Sequence, residues 1–157
     1  MSQRIELAQL FQVSSAWGGA ATQTSPSADV FNANEVTILL SFGLPLGVSA
    51  SNYTYFELLE SDSAISSSTP SSDAVPYDAG HIIYLPGNFS WSAVTDRRST
   101  EIFRVFSTTV NAKLYKLAFV PRKRYVGLRM TRVGSTQTLS LTAAAILGRL
   151  KRTPSTF

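Results

Sequence analysis

The chain has 157 residues, the size of one ordinary domain, and 44% of them are apolar but only 15% charged, against the roughly 25% usual in soluble proteins. It has no cysteine, which excludes disulfides, thiolate metal sites and a cysteine nucleophile, and no run approaches the roughly 18 apolar residues of a membrane-spanning helix. Charge is split along the chain: residues 1–96 hold 1 Lys/Arg against 9 Asp/Glu, or −8, and residues 97–157 hold 13 against 1, or +12.

That split reads in two ways. The halves neutralise each other within one domain, or they form a polarised particle that docks by one face on an acidic surface, since clustered charge steers association. Both readings favour binding over catalysis. The opening Met1-Ser-Gln-Arg-Ile-Glu6 lacks the basic start and apolar stretch of a secretory signal. Synthesis and assembly in a cytoplasm are therefore expected, and the sequons at Asn52 and Asn88 read as coincidence.

Residues 1–30 are expected to form an N-terminal arm. Arg4 to Phe11 has near-helical apolar spacing but is too short for a helix without a tertiary partner. Ile5, Leu7, Leu10, Phe11 and Trp17 are its candidates for lying across a neighbouring subunit; the plainer alternative is that Leu10, Phe11 and Trp17 cover an open end of their own domain. Ala28 to Phe31 is a weak strand. Glu35 to Phe42 alternates, with Val36, Ile38, Leu40 and Phe42 on one face, the signature of a half-buried strand. Gly43-Leu-Pro-Leu-Gly47 breaks it, and Tyr53 to Glu60 resumes with strand formers.

Ser61 to Ala74 is nearly all Ser, Thr, Asp and Pro and reads as an exposed loop. His81 to Leu85 is another weak strand. Glu101 to Thr109 and Lys113 to Val120 read as strands joined by the short Val110-Asn-Ala112 turn. Arg124 to Arg132 sets Val126, Leu128 and Met130 inward. Gly134-Ser-Thr-Gln137 reads as a hairpin loop, with Leu139 to Leu147 pairing back. The total is about eight strands, an all-β jelly roll or β-sandwich over residues 31–152, followed by a tail at 153–157.

Catalytic constellations are scarce. His81 is the sole histidine and sits at a strand start with no Gly-x-Ser-x-Gly elbow, so it reads as a structural or surface residue. Glu57, Glu60 and Asp62 are close in sequence, but on a strand Glu57 and Glu60 point to opposite faces. No calcium-loop or His-Glu-x-x-His spacing exists, and neither a metal nor a cofactor is expected. Arg122 to Arg132 carries five positive charges and Arg149 to Arg152 three, a footprint that can contact phosphates. The arginines fall singly along a strand and at chain ends, so direct nucleic-acid binding is not the expectation. Arg122, Lys123, Arg124, Arg149, Lys151 and Arg152 are instead candidates for contact with a protein partner.

Arg122-Lys-Arg-Tyr-Val-Gly-Leu-Arg-Met-Thr131, a glycine-containing loop, Leu141-Thr-Ala-Ala-Ala-Ile-Leu-Gly-Arg149 and Phe56-Glu-Leu-Leu-Glu-Ser-Asp62 together resemble the cement, or head-decoration, proteins of tailed bacteriophages. The resemblance spans Asn34 to Lys151. The chain departs from the pattern at Gly127, where the family often has an arginine, in the long Ser-rich loop after Asp62, and over the first 30 residues. The resemblance implies a non-enzymatic jelly-roll virion protein on the outside of an icosahedral head. It would bind the major capsid protein, with no membrane, as a homo-oligomer (a dimer before a trimer), and clamp neighbouring subunits.

Two rival readings come from other classes. A carbohydrate-binding β-sandwich module on a virion or tail would use Tyr53, Tyr55, Tyr84 and Trp91 as an aromatic platform. A hydrolase would have to be built around His81.

Overall fold

The structure is a computed structural model that describes residues 6–13, 22–66, 74–84, 98–110 and 113–150, with backbone alone at 6–13, 84, 110, 149 and 150. Its strands are β1 (Glu6–Val13), β2 (Thr22–Thr24), β3 (Ala28–Asp29), β4 (Ala33–Phe42), β5 (Tyr53–Ser61), β6 (Val75–Pro76), β7 (Ile83–Tyr84), β8 (Glu101–Val105), β9 (Leu114–Phe119), β10 (Tyr125–Val133) and β11 (Leu141–Leu150). One sheet runs β1-β11-β4-β9-β7; the other runs β2-β10-β5-β6, with β3 also on β10 and β8 also on β5. Every pairing is antiparallel. The chain passes repeatedly between the sheets and its first and last strands lie side by side, as in the double Greek key of a jelly roll.

The alternation read in β4 is what buries it: Val36, Ile38, Leu40 and Phe42 are all at most 2% exposed. From the facing sheet, Phe56, Leu58, Val126, Leu128 and Met130 close the core. An aromatic cluster joins the layers. Phe42 stacks on Phe103 with ring centroids 5.2 Å apart and meets Phe56 edge-on at 5.7 Å, and Tyr115 lies 4.6 Å from Phe103. Since Phe42 and Tyr115 belong to one sheet and Phe56 and Phe103 to the other, this cluster fixes how the sheets sit on each other.

Four expectations are corrected. Residues 6–13 are not a free arm: β1 pairs with β11 along its length, and β2 and β3 pair with β10. The ladder slips between Gln9 and Phe11; that bulge inserts Leu10 and breaks the two-residue period, which is why the segment's apolar spacing looks helical.

β8 and β9 do not form a hairpin either, since β8 pairs with β5 while β9 pairs with β4 and β7. Nor does β11 pair back on β10. The segment 134–140 is bridged to 43–46, with Leu46 N donating to Thr138 O at 3.0 Å and Gly43 N to Ser140 O at 2.9 Å, and it carries the chain across to the other sheet. A hairpin would set two apolar faces side by side; the crossing sets them face to face, which buries both.

Finally, the Ser-rich loop is not wholly exposed. Ile65 is 3% exposed and its backbone exchanges hydrogen bonds with Ser27, while residues 67–73 lie outside the described residues.

Gly127 has a physical explanation in this chain. Ser25 N donates to Leu128 O and Leu128 N donates to Ser25 Oγ, each at 2.8 Å, which clips the β2–β3 segment over the strand. A Cβ on Gly127 would lie 3.3 Å from both Ile65 Cδ1 and Ser25 Oγ. A side chain there would have to push both aside.

Candidate binding site

The charge split resolves as neutralisation across strands. Because β10 runs antiparallel to β5 in register, Arg129 lies opposite Glu57, and their side chains bond at 2.7 Å. Beyond the start of β10, Arg122, Lys123 and Arg124 meet Glu60, Asp62 and Asp29 at 3.0, 3.0 and 2.8 Å. Four bases of the cationic half are therefore each held by an acid of the anionic half.

These pairs build one end of the roll. Pro121, which has no backbone N–H to donate, follows β9 and turns the chain. Arg122 then satisfies the buried Glu60 twice, its backbone N donating to Oε1 at 2.8 Å and its Nε to Oε2 at 3.0 Å. The same guanidinium lies 4.3 Å over the ring of Tyr77, whose hydroxyl donates to Val120 O at 3.1 Å. Burial pushes the Tyr77 hydroxyl above its ordinary pKa.

Arg124 donates through Nε and Nη2 to Asp29 Oδ2, while Phe31 N donates to Asp29 Oδ1 at 3.1 Å. The Arg124 hydrogen bond holds the Asp29 carboxyl below its usual range. Arg124 also sits near two rings, 5.5 Å from Phe31 and 5.1 Å from Tyr125.

Between the 30–33 segment and the 121–124 loop lies a cleft of about 280 Å3, lined by Val30, Phe31, Ala33, Asp62 and the run Pro121 to Arg124. Phe31 stands at its rim 66% exposed, and half of each flanking arginine side chain is exposed as well. Carboxylates hold the guanidiniums in place on one side. Their remaining N–H groups can meet a partner's oxygens, with an aromatic ring alongside. The cleft thus sets hydrogen-bond donors of two held guanidiniums beside one exposed ring.

Three of the expected contact residues, Arg122, Lys123 and Arg124, thus come together. Leu7, Leu10 and Phe11 lie on β1 and Arg149 on β11, placed by backbone alone, while Ile5, Trp17, Lys151 and Arg152 lie outside the described residues. Sequence reading missed Phe31 and Asp29. The signal available was an aspartate two residues before an aromatic, a spacing that lets the carboxylate accept from the backbone.

Of the groups that the rival readings would use, the side chains of His81, Glu57, Glu60, Tyr53 and Tyr55 are described. His81 is in a turn, not a strand; its Nδ1 lies 3.3 Å from Asp78 Oδ2, and both side chains are exposed. Glu57 and Glu60 do face opposite sides, Glu57 toward Arg129 and Thr100 and Glu60 toward Arg122. Among the described residues no group of three His, Asp or Glu side chains could hold a metal ion, and no helix is long and apolar enough to cross a membrane. The ring of Tyr53 carries the Arg104 guanidinium at 4.2 Å and the buried Tyr55 carries that of Arg98 at 4.4 Å. One face of each is already occupied. Of the other two platform residues, the Tyr84 side chain and Trp91 lie outside the described residues.

Compared with protein-family models and with curated proteins, the chain gives no match.

Proposed function

We propose that this protein is a structural virion component that binds the outside of an icosahedral phage head and clamps neighbouring major capsid subunits without catalysing a reaction. The observation that carries the reading is the cleft at the 121–124 loop, where arginines already oriented by Glu60 and Asp29 flank an exposed phenylalanine. Arginine and aromatic side chains are the residue types on which interface energy concentrates, and orienting them in advance lowers the entropic cost of docking. The resemblance of residues 34–151 to head-decoration proteins supplies the kind of partner. Assembly would take place in the host cytoplasm, after the shell has expanded.

Each contact need only be modest. A lattice repeats it many times, and a protein bound only to the mature shell stabilises that state by mass action. Because Arg122, Lys123 and Arg124 are paired within the chain, salt dependence of docking should be shallower than three free cations would give.

The test is co-sedimentation with purified expanded heads of the encoding virus. Phe31→Ser with Arg124→Ser should keep the fold, since both side chains are exposed and surface pairs contribute about 0–1 kcal/mol, yet lose head binding by tenfold or more. Unchanged occupancy would remove the cleft from the interface.

A further inference from the structure

Acid and base are layered differently at the two places where they meet. At the 121–124 loop, Asp29 and Asp62 are exposed beside Arg124 and Lys123, so solvent meets both signs of charge. On the outer face of the layer formed by β2, β10, β5 and β8 the acids lie underneath. Glu57 and Glu101 are 5% and 0% exposed, and Arg104, itself buried, donates to each oxygen of Glu101. Arg129 Nε holds one oxygen of Glu57 at 2.7 Å, and Thr100 Oγ1 donates to the other at 2.6 Å. Arg98 is exposed and lies over the ring of Tyr55, with Nη1 donating to the tyrosine hydroxyl. Among the described residues of this face, the charge that reaches solvent is therefore positive alone, carried by Arg98 and Arg129. Nε and Nη2 of Arg98 and both Nη groups of Arg129 are left to donate outward. The two guanidiniums are anchored on one strand, at Tyr55 and Glu57 of β5. Two residues along a strand span about 7 Å, at roughly 3.4 Å per residue, which is the interval between side chains on one face of any extended chain.

We propose that this face binds an extended acidic segment of a protein partner, with carboxylates on alternate residues, one to each of Arg98 and Arg129. Planar guanidiniums take carboxylates through paired N–H groups, and Arg104 makes that pairing with Glu101 on the same face. The rings favour a peptide over single-stranded nucleic acid. Bases need an open aromatic face on which to stack, whereas Tyr55 is buried beneath Arg98 and Tyr53 has one face under Arg104 at 4.2 Å. Glu57 and the Tyr55 hydroxyl orient the guanidiniums before the partner arrives, so less side-chain entropy is lost on docking. The surface is separate from the cleft at the 121–124 loop, and its binding is independent of the proposed role on a viral shell.

Fluorescence anisotropy of a dye-labelled peptide of alternating Asp and Ser, titrated with the full chain, is the test, and the same peptide with Asn for Asp is the control. The Asp peptide should bind and be released by added salt; the Asn peptide should not bind. Arg98→Gln, at an exposed side chain, should weaken binding by about tenfold, the scale of one hydrogen bond to a charged group. Because Arg129→Ala would strand the buried Glu57, Arg129→Lys is the second variant. It keeps the charge that Glu57 needs but gives up the planar fork, and should weaken binding in a chain still folded by circular dichroism. Lys116→Gln removes the same charge from the outer face of the other sheet and should leave binding as it is. An equal loss in Lys116→Gln would reduce the effect to net charge and overturn the proposal. So would an Asp peptide that does not bind, wild-type affinity in Arg98→Gln, or tighter binding of a thymidine oligonucleotide or a sulfated polysaccharide than of the peptide.

Discussion

The two sheets share one core but differ in their outer faces. On the sheet containing β5, β8 and β10, the outside holds Glu57 with Arg129 and Glu101 with Arg104, where Arg104 donates to both Glu101 oxygens at 2.6 and 2.8 Å and both side chains are at most 7% exposed. On the sheet containing β4, β9 and β11, the outside carries Glu35, Thr37, Leu39 and Ser41, Thr142, Ala144 and Ile146, and the exposed Lys116. The charges that are separated along the chain are thus paired within one layer, whose outer face carries the ion pairs. Antiparallel pairing brings distant segments into register, so opposite charges that are far apart in sequence, Glu57 and Arg129, end up adjacent in one sheet.

The sharpest way to break that comparison is to remove one partner of the buried pair. Glu101→Ala leaves Arg104 buried without its carboxylate and should cost about 3–5 kcal/mol in urea unfolding. Replacing both, Glu101→Leu with Arg104→Met, should recover most of the loss. If the single variant is silent, the pair is not holding that face. Phe103→Ala strikes the core common to both sheets and should cost about 3–5 kcal/mol, read from the same unfolding curves.

Gly134 tests a connection between layers. It adopts φ of +87°, and a Cβ there would lie 2.5 Å from Asn52 Oδ1. Gly134→Ala should cost about 1–2 kcal/mol in thermal unfolding through backbone strain and that contact.

Smaller still is the contribution of Asp29. Its pKa is lowered in the folded state, chiefly by the Arg124 hydrogen bond, so the stability it adds is present above its unfolded pKa of about 3.9 and is lost as pH falls through the lower folded value. Asp29→Asn should flatten acid unfolding below about pH 4 and change stability at neutral pH by under about 1 kcal/mol, because the pair is exposed. On the opposite layer Lys116→Ala should change stability by no more than about 0.5 kcal/mol.

Much of the architecture was legible wherever period-two alternation was intact. Val36, Ile38, Leu40 and Phe42 in β4, and Val126, Leu128 and Met130 in β10, face the core as the pattern requires. What escaped is what alternation does not encode. The bulge at Leu10 disguised β1 as helix-like, and the crossing of residues 134–140 between sheets looks in sequence like any hairpin turn. Gln137 illustrates the second case. It is 1% exposed, accepts from Thr54 Oγ1 at 2.8 Å and donates to Asn52 Oδ1 at 3.0 Å and Val133 O at 2.8 Å, and so ties the crossing to the start of β5. A polar residue in a Ser-Thr-Gln-Thr run carries no mark of such burial. The cleft was half legible: the basic run announced Arg122, Lys123 and Arg124, but their partners Asp29, Glu60 and Asp62 lie more than 60 residues away, and only strand pairing reveals them.

The central claim is that this jelly roll grips a viral shell from outside through the end that bears Phe31 and the 121–124 loop. Cryo-electron microscopy of mature heads from the encoding virus tests it most directly. The account predicts jelly-roll density on the exterior, spanning adjacent capsid subunits with that end against the shell. A bare exterior, or the protein found inside with the genome, would contradict it.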